Sequence, residues 1–212
     1  MRFLVTAGPT REPIDPVRYL SNRSSGKMGY AIAAAALAEG HEVVLISGPV
    51  SIPVPEGASL VRVETALEMY DAVAAEIGSV EVGIFCAAVA DYRVAEIAAE
   101  KIKKTEDAIT LTLIKNPDIL GSARSVFGFQ GILVGFAAET SDLERHALDK
   151  LRRKGCDMLV ANDVSRSDIA FDSEENEVEL FFRDGRREAL AKTSKEVIAS
   201  ALVERTEKLA QA

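Results

Sequence analysis

Thr6-Ala7-Gly8-Pro9-Thr10-Arg11-Glu12-Pro13-Ile14-Asp15-Pro16-Val17-Arg18-Tyr19-Leu20-Ser21-Asn22-Arg23-Ser24-Ser25-Gly26-Lys27-Met28-Gly29 joins a strand-like run, Arg2 to Val5, to an Ala-rich helical run, Tyr30 to Ala38. A strand, a polar loop and a helix start form the place where an α/β sheet holds phosphate. The first N–H groups of the helix lack backbone partners there and sit at the positive end of its dipole. This loop is longer than a phosphate turn needs, and it carries Arg18 and Asn22 as well. That surplus points to chemistry on an anionic substrate, beyond holding a nucleotide.

The same alternation continues outward. Apolar strand patterns at Arg2–Thr6, Glu42–Ile46, Ser59–Val63, Val82–Ala87, Ile132–Gly135 and Met158–Ala161 alternate with helical patterns. The helical patterns are Gly26–Ala38, Ala66–Ile77, Pro117–Val126, Ser141–Lys154 and Lys195–Leu209. Continuous apolar strands between helices predict an α/β fold over a single domain, residues 1–212. The sheet is expected to be largely parallel and Rossmann-like, covered by helices on both faces as three layers. Gly40 reads as a helix stop, Asn116-Pro117 as an N-cap followed by proline at the first helical position, and Thr65 with Glu68 as a capping box.

Two segments depart from the alternation. Ala108–Leu113 alternates apolar and polar residues like a half-exposed strand, and Val178–Phe182 with Arg187–Leu190 flank an Asp184-Gly185 turn. They predict a small antiparallel extension at 108–114 and 177–190, whose apolar side calls for a second subunit. Residues 93–107, rich in Ala, Glu and Lys, fit neither period and read as a mobile flap.

Composition narrows the function. Lys and Arg total 25 against 33 Asp and Glu, a net charge of −8 that argues against nucleic acid as the partner. No apolar run approaches the roughly 20 residues of a membrane helix, and the chain opens on a core strand, so a cytoplasmic protein is expected. Two cysteines and two histidines offer neither a disulfide framework nor zinc spacing, and Cys86 reads as a small buried apolar residue.

The candidate motifs are incomplete versions of known ones. Ser21 to Met28 approaches the Walker A pattern but has Ser21 in place of the first glycine and Met28 in place of the metal-binding hydroxyl. Ser24, Ser25 and Gly26 remain as a helix start that could cradle phosphate or be an ordinary cap. The dinucleotide fingerprint is missing, and Ser47-Gly48 stands where a ribose-binding acid would be. Cys86-Ala87-Ala88-Val89-Ala90-Asp91, Lys115-Asn116-Pro117-Asp118-Ile119-Leu120, Gly135-Phe136-Ala137-Ala138-Glu139-Thr140 and Val160-Ala161-Asn162-Asp163-Val164 all fall at strand ends, where such sheets bind ligands. Lys101, Lys103 and Lys104 concentrate cations in an acidic chain, and Lys150 and Lys154 share a helix face; each set is either a solvated surface or a phosphate grip.

In order along the chain, TAGPTREPIDPVRYLSNRSSGKMG, AAVADYR, KIKK, KNPDIL, GFAAET and VANDV resemble the phosphopantothenoylcysteine synthetase family. The resemblance implies a ligase of coenzyme A biosynthesis that joins 4′-phosphopantothenate to L-cysteine through an acyl-nucleotide, with Mg²⁺ on the nucleotide triphosphate. Bacterial relatives use CTP and eukaryotic ones ATP; the bacterial type is expected. By position, Asn22 resembles the residue that binds the acyl group. Arg18 resembles one that reaches a neighbouring subunit's site, which implies a homodimer with shared sites, and Lys101 resembles a nucleotide-contacting lysine. Phe85, Cys86, Ala87, Asp91, Pro117, Asp118, Ile119, Leu120, Phe136, Lys150 and Lys154 match nucleotide-binding positions, beside the cradle Ser24, Ser25 and Gly26. The resemblance names no metal ligands. It also implies a fused or separate phosphopantothenoylcysteine decarboxylase, to which no segment of this chain corresponds. An NAD(P)-dependent oxidoreductase and a non-catalytic nucleotide-binding module are the alternatives. The first would need nicotinamide binding without the fingerprint, and the second would leave Arg18 and Asn22 without a role.

Overall fold

The structure is a computed structural model that describes residues 1–104, 108–139, 141–163 and 173–211. Its first half runs β1 (Arg2–Ala7), β2 (Arg11–Asp15), β3 (Arg18–Ser21), α1 (Lys27–Ala38), β4 (Glu42–Ser47), β5 (Ser59–Arg62), α2 (Ala66–Glu76), β6 (Val82–Phe85) and β7 (Tyr92–Val94). There follow β8 (Leu113–Lys115), α3 (Ile119–Ser125), β9 (Ile132–Glu139), α4 (Leu143–Lys154), β10 (Met158–Asp163), β11 (Glu175–Phe182), β12 (Arg187–Ser194) and α5 (Lys195–Ala210).

Eight strands form one sheet in the order β12-β11-β10-β9-β6-β1-β4-β5. From β5 to β10 every neighbouring pair is parallel, and β11 and β12 close that edge antiparallel. Successive side chains of a strand point to opposite faces, so β1 feeds two cores. Phe3 and Val5 pack with Tyr30, Ile32, Met158 and Ile198 beneath α1 and α5. Leu4 packs with Met69, Leu133, Leu159 and Phe181 beneath α2, α3 and α4. The layers follow the sequence expectation because the central strands β1, β4, β6, β9 and β10 are apolar on both faces.

The chain leaves β1 for β4 and β5 on one side, then returns to β6 on the other. The loops after β1 and β6 therefore part company at the sheet centre, opening a crevice beyond the strand ends. Pairing continues past those ends: Ala88 N–H donates to Gly8 O at 2.9 Å, and Thr10 N–H to Ala88 O at 3.3 Å. Gly48 is required close by, since a Cβ there would lie 1.8 Å from Pro9 O.

Several local expectations need correction. Arg11–Asp15 and Arg18–Ser21 form an antiparallel hairpin, although Pro13 and Pro16 mask its strand pattern. The strand expected at Ala108–Leu113 begins only at Leu113 and pairs with β7, so the flap expected over 93–107 starts inside a strand. Thr105–Asp107 of that flap, Thr140 and Val164 lie outside the described residues. The 177–190 hairpin is present, but its apolar side is covered within the chain: Val178, Leu180 and Phe182 pack with Ile198, Leu202 and Val203 of α5. Asn116 does not cap α3. Asp118 does, accepting from Gly121 N–H at 2.9 Å, while Asn116 Nδ2 donates to Ala90 O at 2.8 Å.

The hairpin is rooted in the core by Glu12, whose buried carboxylate accepts the Ala66 N–H at the start of α2 at 2.9 Å. Removing a partner from a buried donor costs about 1–3 kcal/mol. Glu12→Ala is expected to lose stability in that range, read as a lower urea midpoint with an unchanged m-value.

Candidate active site

Two adjoining clefts occupy the crevice. The larger, about 860 Å³, lies between the β6 end and α3 and α4, with Phe85, Asp91, Pro117 to Leu120, Phe136, Lys150 and Lys154 in its wall. The smaller, about 400 Å³, lies over the start of α1 and is lined by Asn22, Ser24, Ser25, Gly26 and Cys86. Ala87, Val89, Asp91, Phe136 and Lys150 border both, so the two are lobes of one depression.

The smaller lobe owes its shape to Gly26. This residue caps α1 in the left-handed conformation, φ 82°, and a Cβ there would lie 2.6 Å from Val50 Cγ1. Ser24 Oγ accepts the Gly26 N–H at 3.3 Å instead of capping the helix. The first N–H groups of α1, from Lys27 to Gly29, thus face the lobe at the positive end of the helix. Asn22 Nδ2 donates to Ala88 O at 3.0 Å, which holds the amide against the β6 loop. Lys27, Lys150 and Lys195 stand around this lobe with one acid, Asp91. Lys27 pairs with Glu174, and Lys195 donates to Ser173 O.

The larger lobe is electrically mixed. Lys115, Lys150, Arg153 and Lys154 line it together with Asp91, Asp118, Glu139 and Asp149. Lys150 Nζ donates to Phe136 O at 2.7 Å, and burial followed by the neighbouring Lys154 charge pulls its ammonium below the ordinary lysine range. Lys154 is buried and paired with Asp118. Burial alone would raise the Asp118 carboxyl, but the Lys154 bond and the Gly121 N–H outweigh it and hold the carboxyl low. His146 Nδ1 lies 3.1 Å from Glu139 Oε2 at the rim.

Cys86, half-buried where it meets the smaller lobe, has its thiol pushed up to about 12 by burial, as has the buried Cys156. Neither is a thiolate at neutral pH, and nucleophilic catalysis by cysteine is not what this site is built for. Among the described residues no three His, Cys, Asp or Glu side chains are grouped to hold a metal.

Arg18 and Lys101 line neither lobe. Arg18 is paired with Asp15 on the β2–β3 hairpin instead, and the two hold the peptide of Ile102, the residue after Lys101. The cleft also includes residues the sequence reading did not single out: His146, Asp149 and Arg153 in the larger lobe, and Asn176 and Lys195 in the smaller. Lys195 is the first residue of α5. A lysine after a Ser cap looks like any helix start until the topology brings it beside α1.

A family described as "DNA/pantothenate metabolism flavoprotein C-terminal domain" matches residues 1–209. Coenzyme A biosynthesis bifunctional protein CoaBC of Vibrio vulnificus strain CMCP6 is 49% identical over 98% of this chain and 52% of its own length. The chain thus spans about half the length of the curated relatives it matches. The crystal structure of the C-terminal domain of a coenzyme A biosynthesis bifunctional protein CoaBC superposes with a TM-score of 0.84 at 39% identity, covering 98% of this chain and 94% of the other. A Cab2 H337A mutant in complex with phosphopantothenate-cysteine shares the fold at 17% identity, with a TM-score of 0.79 over 98% and 87% of the two chains.

Because Lys150 is charged only below its lowered pKa, raising the pH removes a cation from the cleft before an ordinary lysine would titrate. Affinity for a nucleoside triphosphate, followed by calorimetry from pH 7.5 upward, is expected to weaken below the usual lysine range. Lys150→Gln is expected to flatten that fall, and an identical fall in the variant would assign it to another group.

Proposed function

The chain belongs to the DNA/pantothenate metabolism flavoprotein C-terminal domain family, and from that membership we propose that it is a ligase joining 4′-phosphopantothenate to L-cysteine at the expense of CTP. The observation that carries this reading is the two-lobed cleft: a larger lobe with room for a nucleoside meets a smaller one lined by the start of α1 and the Asn22 amide. A reaction that joins a nucleotide to an acid needs both lobes and a shared wall between them.

A carboxylate resists attack by an amine because it is anionic and has a poor leaving group. The phosphopantothenate carboxylate oxygen attacks the α-phosphorus of CTP, the bond to the bridging oxygen breaks, and pyrophosphate leaves. The cysteine amine then attacks the acyl carbon of the mixed anhydride, loses a proton and releases CMP. No protein nucleophile takes part, in keeping with thiols held protonated. What the chain supplies is position and charge. Asn22, anchored to Ala88 O, would hold the acyl group, the start of α1 with Ser24, Ser25 and Gly26 would take phosphate oxygens, and Lys150 would neutralise charge at the wall between the lobes. Mg²⁺ usually rides on substrate phosphates with few protein ligands, and a cleft whose acids are not clustered suits that arrangement.

Arg18, on this reading, acts with the site of a second copy. The support is the exposed apolar side chains on either side of it in the hairpin, Val17, 58% exposed, and Tyr19. CTP is preferred to ATP on the resemblance to bacterial relatives.

Incubation with CTP, Mg²⁺, phosphopantothenate and cysteine is expected to release pyrophosphate; no release with either CTP or ATP would sink the proposal. Arg18→Ala and Asn22→Ala are each expected to be inactive alone, and their mixture to regain part of the activity once heterodimers form. Absence of rescue in heterodimers verified by mass spectrometry would remove the shared site.

A further inference from the structure

Asp15 is a charged residue at the end of β2 whose carboxylate is buried, and the ligase chemistry as described gives it no task. It accepts the N–H groups of Val17 and Arg18, each at 2.9 Å, within the hairpin turn. Its other oxygen accepts both Arg18 Nε, at 2.9 Å, and Arg18 Nη2, together with the Ile102 N–H at 3.1 Å. Arg18 Nη2 also donates to Ile102 O at 3.0 Å. The Ile102 peptide is therefore held at both its N–H and its C=O, and Ala98 N–H to Ile14 O, 3.0 Å, fastens the same segment further back.

The residue before Ile102 is Lys101. Three or more charge-assisted bonds converging on one carboxylate make the arrangement stiffer than an exposed ion pair, and two guanidinium N–H groups on one oxygen hold the arginine at two points. The pair keeps Asp15 well below the usual carboxylate range, first through Arg18 and then through the backbone donors, so it stays charged. A lone surface ion pair would be worth little, but here the partner of the pair is a backbone peptide 84 residues away from Arg18 in sequence.

We infer that Asp15 is the positioning residue for two cations, orienting Arg18 of the hairpin directly and Lys101 through the Ile102 peptide. Arg18 and Lys101 then move as one unit. This rests on the ligase reading for what the two cations do, but not for the latch itself. Asp15 touches no substrate; it acts through the groups it holds.

The latch is tested without turnover by hydrogen–deuterium exchange. Asp15→Asn removes the charge and one acceptor, and the Ile102 amide is expected to exchange faster while amides of β1 and β6 keep their protection. Unchanged exchange at Ile102 overturns the latch. Turnover then tests the role: a catalytic group displaced by about 1 Å can lose about 100-fold in rate, and Asp15→Asn is expected to lower kcat by about that factor or less with the KM for cysteine unmoved. Combined with Lys101→Gln, it is expected to cost less than the product of the two single losses, because the second change acts through a lysine already gone. Losses that multiply overturn the role. If Asp15→Asn melts the hairpin, Ile102→Pro deletes the N–H alone and leaves the Asp15–Arg18 pair in place. Faster exchange at the Ala98 amide, which bonds Ile14 O in the same segment, and the same sub-multiplicative cost with Lys101→Gln are expected of it, and full multiplication again overturns the role. A wild-type protein that releases no pyrophosphate would defeat the ligase reading, while the exchange measurement would still decide the latch.

Discussion

The backbone of Ala88 ties the site to the sheet. Its N–H reaches Gly8, and its carbonyl receives Thr10 N–H and the Asn22 side chain. Parallel strands β1 and β6 would otherwise end with their loops diverging, since the chain turns opposite ways from each. Buried backbone polar groups must be paired, and at this switch point they are paired with one another. Thr10 adds its hydroxyl, buried, as acceptor for Ala90 N–H. Asn22 inherits its position from that stitching, which is why a residue at the end of a hairpin can stand in a cleft with strand-like definition.

Charge in this protein is arranged locally, not as a field. The chain is acidic as a whole, yet the smaller lobe collects three lysines and a helix start around one carboxylate, while the larger lobe alternates signs. Buried cations are costly unless they are paired or hydrogen-bonded. Lys154 is matched by Asp118 and Lys150 by the Phe136 carbonyl. Lys150 spends its bond on a neutral acceptor, and its ammonium is the one pulled below the ordinary range. A cation held by a neutral group keeps its charge available for a ligand, whereas one held by a carboxylate is largely neutralised.

Local rules were legible where the residues act on their own neighbours. Thr65 and Glu68 form the capping box that their spacing announced, and Gly40 follows α1 with φ 79°. The β11–β12 hairpin turns at Asp184-Gly185 as written. The failures share a cause. Asn116 was read as a cap because Asn before Pro often is one, but its amide had a better use bonding Ala90 O and receiving Arg93 across the ribbon. The β2–β3 hairpin was hidden because its two prolines argue against a strand; Pro16 falls in the turn, and the two-stranded ladder takes Pro13 beside a register shift.

From the sequence alone came the α/β alternation, the helix and strand spans of the central layers, the family resemblance and most of the residues that line the cleft. These follow from hydrophobic period, capping chemistry and motif order, all of which act over a few residues or are carried in the letters themselves. Only the tertiary structure decided that Lys195 stands beside the start of α1, that the 177–190 hairpin buries its apolar side against α5, and that Arg18 and the Ile102 peptide beside Lys101 meet over Asp15 instead of Arg18 and Lys101 lining the cleft of their own chain. Those pairings join segments far apart in the chain, and the free energy that selects them comes from burial and from matching donors to acceptors across the whole fold, which no local window contains.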